Sequence, residues 1–101
     1  MAATPKVLFR GAATTTTTTT LYTTPAATTT IVNSVMIANT DTSTRTFTMS
    51  FGGVKWAEAV SIAPNSTVVF DFKQALSATN TIQGGASNTA VTFHISGVEV
   101  A

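Results

Sequence analysis

Apolar and polar residues alternate with a period of two along most of this chain, and no long stretch keeps the three-to-four spacing of a helix. The clearest case is "RTFTMSF", which puts Phe47, Met49 and Phe51 on one face and Thr46, Thr48 and Ser50 on the other. Gly52-Gly53 follows with the positive-φ residues of a tight hairpin, and "VKWAEAV" returns. In "STVVFDFKQ", Val68, Phe70 and Phe72 alternate with Thr67, Val69, Asp71 and Lys73. The closing "TAVTFHISGVEV" sets Val91, Phe93 and Ile95 against Thr92, His94 and Ser96. "TTTIVNSVMIANT" places Ile31, Val35 and Ile37 on one face and Val32, Met36 and Ala38 on the other, the pattern of a central or covered strand.

Two segments are less regular. "NTIQGGAS" reads as a short strand that breaks at Gly84-Gly85, and "FKQALSA" as at most one helical turn. Pro64-Asn65 marks a turn, as does "NTDTST", where Asp41 and its neighbours cap backbone groups. Seven or eight short strands at roughly 8–12-residue spacing predict an all-β fold: an antiparallel β-sandwich, jelly-roll or Ig-like. "TTPAATTTIV" and "SIAPNSTVVF" each run from Pro through small polar residues and Thr into an apolar strand. That echo is either an old duplication or the common chemistry of a turn entering a strand.

The seven threonines Thr14–Thr20 fit none of these strands. β-Branching stiffens the side chain and favours extended backbone, which makes the run a poor flexible linker. A mucin-like stalk would carry prolines within it. Unbroken Thr has no apolar face to fix its register inside a core, so the run is expected at an edge, pairing its backbone with a sheet or another subunit. The sequence thus divides into an extended N-terminal arm, residues 1–16, and a β-sandwich domain, residues 17–101.

Composition narrows the function. Only 9% of residues are charged, against about a quarter in ordinary soluble domains. A surface of Thr, Ser, Asn and Ala suits a protein packed against neighbours. The net charge is +1 and the five basic residues are scattered, which argues against nucleic acid as a partner. Val7–Phe9 is far short of a signal-peptide core and no 18-residue apolar run occurs, so neither export by a standard signal nor a membrane span is expected.

Chemistry has little to work with. There is no cysteine, and the one histidine, His94, falls on the solvent parity of the last strand. The carboxylates Asp41, Glu58, Asp71 and Glu99 form no spacing that suggests hydrolysis, and no phosphate-loop, HExxH or GxSxG motif occurs. Asp71 reads as a cross-strand ion pair or an edge gatekeeper. The expectation is a non-enzyme without cofactor or metal.

Contact candidates remain. Lys6, Val7, Leu8, Phe9 and Arg10 form an apolar plug between two cations, either a strand completing the sheet or an arm inserting into a neighbour. Thr14, Thr17 and Thr20 represent the threonine edge. Trp56 is either core filling or an interface anchor, and with Tyr22 it could form a sugar-stacking face.

"TTLYTTPAATTTIVNSVMIANTDTSTRTFTMSFGGV", "SIAPNSTVVFDFKQAL" and "FHISGVEV" together resemble a group of small accessory virion proteins of tailed bacteriophages. The shared pattern is Leu-Tyr-Thr-x-Pro, a strand, an Asn-Thr turn, a Gly-Val hairpin, a Pro-led strand and a terminal Ile-Ser-Gly-Val-Glu. It covers roughly residues 17–100 and is made of turns and strands, not of catalytic groups. The resemblance implies a small structural β-sandwich on the virion surface, assembled in the host cytoplasm. It would be a capsid decoration protein or a minor tail component, with the major capsid protein or tail proteins as partner. A homo-oligomer, a trimer among the options, goes with that reading. The threonine run and Trp56 lie outside the shared pattern.

Overall fold

The structure, a computed structural model, describes residues 3–101. It contains eight strands: β1 Ala3–Ala12, β2 Thr20–Thr23, β3 Thr29–Asn39, β4 Arg45–Phe51, β5 Val54–Ile62, β6 Ser66–Leu76, β7 Thr81–Ala86 and β8 Val91–Val100. They form two four-stranded sheets, ordered β1-β8-β3-β6 and β2-β7-β4-β5, and every strand pairing is antiparallel. No helix occurs among the described residues, and "FKQALSA" is the end of β6.

The core lies between the sheets, as the alternation requires. Val35, Ile37, Val91, Phe93 and Ile95 face Phe47, Met49, Ile62 and Ile82, all fully buried. Phe47 and Phe93 meet edge to face across the middle, with ring centroids 6.4 Å apart. Asn39 closes one end. Its buried amide donates to the carbonyls of Ser43 (2.9 Å), Ile62 (3.1 Å) and Ala63 (3.3 Å), and its oxygen accepts from the Asp41 N–H at 3.0 Å.

Simple alternation fails in β3 because of a bulge. Val32 pairs with Gly97 and Ser34 with Ser96, leaving Asn33 as an extra, exposed residue. The parity flips there. Val32, not Ile31, joins Val35 and Ile37 in the core, and Met36 faces out at 41% exposure. A second bulge at Leu8, between the pairs Val7–Ser96 and Phe9–Ile95, turns that side chain inward over Gly97.

Residues 1–16, read from sequence as an arm, behave differently over the described part. Ala3–Ala12 is β1, paired along its length with β8 and anchored by buried Leu8, so it belongs to the sandwich. Residues 1 and 2 lie outside the described residues. Thr14–Thr19 is a loop, not a strand, that carries the chain from β1 in one sheet to β2 in the other. Gly84-Gly85 does not break β7. A Cβ on Gly85 would sit 2.3 Å from the Thr16 carbonyl oxygen, so only glycine lets the threonine loop lie on that strand.

Candidate interaction surface

The expected contact residues disperse over the surface. On β1, Leu8 is in the core, Phe9 packs half-buried against it, and Val7 is exposed at 46%. Lys6 pairs with Glu99 at 3.3 Å, while Arg10 stands opposite His94 on the outer face of the sheet. The threonine loop is tied down by backbone and hydroxyls together. Thr14 and Thr19 carbonyls accept from the Ala86 and Gly84 N–H groups (2.9 and 3.0 Å), the Thr14 and Thr19 hydroxyls meet at 2.6 Å, and Thr19 also donates to the Thr16 carbonyl. Thr17 is exposed at the loop tip and Thr20 accepts weakly from Gln83.

Tyr22 and Trp56 do not meet: they lie at opposite edges of one sheet. Tyr22 is on edge strand β2 and Trp56 on edge strand β5, with β7 and β4 between them. The Tyr22 hydroxyl donates to Glu99 and receives the Thr30 hydroxyl at 2.9 Å, a bridge from one sheet to the other. Burial, then the Glu99 carboxylate, pushes the Tyr22 pKa up; the Tyr22 donor, helped by Lys6, holds Glu99 below the ordinary carboxylate range. Sequence reading missed this clasp, because its four residues, Lys6, Tyr22, Thr30 and Glu99, are distant along the chain.

Trp56 is half-buried on the open side of the sandwich, where β5 and β6 are the facing edges. It lies in a bulge of β5 and meets Phe72 (4.9 Å) and Phe70 (5.2 Å) edge to face, and Phe51 (5.5 Å) and Phe47 (5.9 Å) at tilted angles. The two sequence readings, core filler and surface anchor, thus merge in one residue. Beside it Phe51, Val54, Lys55, Trp56, Phe72 and Gln74 line a cleft of roughly 160 Å³.

The β1-β8-β3-β6 sheet is built from the longer strands, and its outer face is exposed. One row crosses all four strands as Arg10–His94–Met36–Val69, and the next as Ala12–Thr92–Ala38–Thr67. Hydroxyls, small residues and the exposed apolar side chains Val7, Met36 and Val69 make up most of it. Ion pairs elsewhere join Arg45 to Asp41 (2.6 Å) and Lys55 to Glu58 (3.1 Å). Among the described residues no cluster of three or more His, Cys, Asp or Glu could hold a metal ion. No described helix is long and apolar enough to cross a membrane. The arrangement offers backbone edges, hydroxyls and apolar patches for contact.

No protein-family model matches the chain, nor does any curated protein or solved structure.

Proposed function

We propose that this chain is a non-enzymatic structural protein of a tailed-bacteriophage virion, a decoration protein that binds and reinforces the capsid surface as a homo-oligomer. The observation that carries the reading is the outer sheet face, hydroxyl-rich and weakly charged, with Val7, Met36 and Val69 exposed on it. Such a face costs less to dehydrate than a charged one when its hydroxyls find partners, and it makes a poor free surface for a soluble monomer. The resemblance over roughly residues 17–100 supplies the virion context. A jelly-roll assignment, the finer form of the sandwich, is supported by the strand order, in which β1-β8-β3-β6 faces β2-β7-β4-β5.

Truncating residues 1–20 is not a usable test, since it removes β1 and Leu8 from the core. The test is addition of the purified chain to capsids of the parent phage that lack it. Saturable binding with a higher temperature of shell rupture is expected; capsids that rupture at the same temperature with and without the chain contradict the proposal.

A second reading has one observation in its favour, the aromatic cleft beside Trp56, whose apolar floor and Lys55 and Gln74 rim suit a sugar ring. It would make the chain a carbohydrate- or host-surface-binding module on a tail or fibre. A glycan array that shows binding lost in both Lys55→Ala and Gln74→Ala would favour it; an empty array removes it.

A further inference from the structure

We propose that strand β6 is a self-pairing edge, and that two copies of this chain join β6 to β6 across a two-fold axis at Val69. This deepens the homo-oligomer element of the proposed function but does not rest on the capsid.

The two sheets present four edge strands, and three are obstructed. β2 has only four residues and a register shift. β1 carries Pro5 and the Leu8 bulge. β5 is bulged twice, with Ala59 in the left-handed region at φ 47°. Short, bulged or proline-bearing edges resist pairing with another chain. β6 also shifts register, at Phe72–Lys73, but its first half, Ser66–Asp71, pairs with β3 without interruption and contains neither proline nor glycine. An edge of this kind leaves a row of backbone donors and acceptors open to a further strand.

The side chains specify the occupant. Val69 is 55% exposed on the outer face beside its cross-strand partner Met36, at 41%. An antiparallel copy centred on Val69 places Val69 against Val69, so the two half-stripes fuse into Met36–Val69–Val69–Met36. Val68 then opposes Phe70 on the inner side, next to the aromatic cleft.

Charge agrees. Of the nine charged side chains, six are used in the three ion pairs; Arg10, Asp71 and Lys73 are left over. In the proposed register Asp71, the single carboxylate without a cation among the described residues, meets the Thr67 hydroxyl of the second copy, a donor that no described residue supplies. No like charges stand opposite each other, and a net charge of +1 gives two copies little long-range repulsion.

The test combines mass and cross-linking. Light scattering at about 100 μM chain should give twice 10.4 kDa. Val69→Lys puts two like charges at the axis on an exposed position and should weaken dimerisation at least about tenfold, while the circular dichroism spectrum, and the Tm at dilutions where both proteins are monomeric, hold. Because the chain has no cysteine, Val69→Cys supplies a single thiol that should cross-link to a covalent dimer, whereas Val54→Cys, exposed on β5, should not. A monomeric wild type overturns the proposal. So does an oligomer that survives Val69→Lys and gives no Val69→Cys cross-link. Capsid binding, measured separately, judges the proposed function whichever way this result falls.

Discussion

Two residues with no chemistry of their own fix the geometry at opposite places in the sandwich. Asn39 is fully buried, and its amide serves three carbonyls and one N–H at the end of the core. Asn39→Ala should therefore destabilise the fold by about 2–4 kcal/mol, read by urea denaturation. Gly85 has the Thr16 and Thr14 carbonyls pressed on the space a Cβ would fill. Gly85→Ala should lower stability by about 1–3 kcal/mol, or on the order of 5–20 °C in Tm, because backbone rather than a flexible side chain has to move. A neutral Gly85→Ala would mean that the threonine loop does not lie on β7. The sequence marks both residues as special, but as turn formers. The buried role of Asn39 and the close approach at Gly85 come from segments distant along the chain.

At the scale of elements, the strands with clean alternation were legible and the irregular ones were not. Phe47, Met49, Phe93 and Ile95 point inward as their parity predicts. In β3 the parity reads wrongly because one inserted residue, Asn33, has no signature in a run that is apolar on both faces. β5 hides two irregularities within "VKWAEAV", and one of them is what turns both Trp56 and Ala57 inward. That strand carries a local strain. Ala59 has φ 47°, and its N–H is taken by the Thr48 hydroxyl at 3.1 Å. Ala59→Gly should stabilise by about 0.5–1 kcal/mol, whereas Ala57→Gly, in the core two residues earlier, should destabilise by a similar or larger amount. Thermal melts of the pair decide it, and equal losses in both would contradict the bulge.

The Tyr22–Glu99 clasp couples one sheet to the other. Glu99 titrates lower in the folded chain than in the unfolded one, so its contribution is complete above the usual carboxylate pKa and fades as pH falls through the lowered value. Tyr22 titrates higher than its ordinary 10.0, so its contribution is complete below that value and fades as pH climbs past it. Tyr22→Phe should accordingly cost about 1–2 kcal/mol near neutrality and progressively less in acid. A gap between the two proteins that stays constant down to about pH 2 would contradict the clasp.

For the whole molecule, the low charge and the eight-strand sandwich are two sides of one arrangement. Three surface ion pairs use six of the nine charges, and the outer sheet face is left mostly to Thr, Ser, Ala, Met and Val, with Arg10, His94 and Asp71 among them. Fold class was readable because alternation and turn residues repeat along the chain. The proposed contact face was not, since it is assembled from every second residue of β1, β8, β3 and β6, strands far apart in sequence. The N-terminal plug divides along the same line: its composition announces a contact, and the contact proves to be with β8 of its own chain. The measurement that bears most directly on the proposed structural role is a cryo-EM reconstruction of the phage that the proposal makes its parent. The account predicts density for this sandwich at repeated positions on the shell, with the β1-β8-β3-β6 face against the major capsid protein. Particles whose shells carry no such density, from stocks in which the chain is expressed, would contradict it.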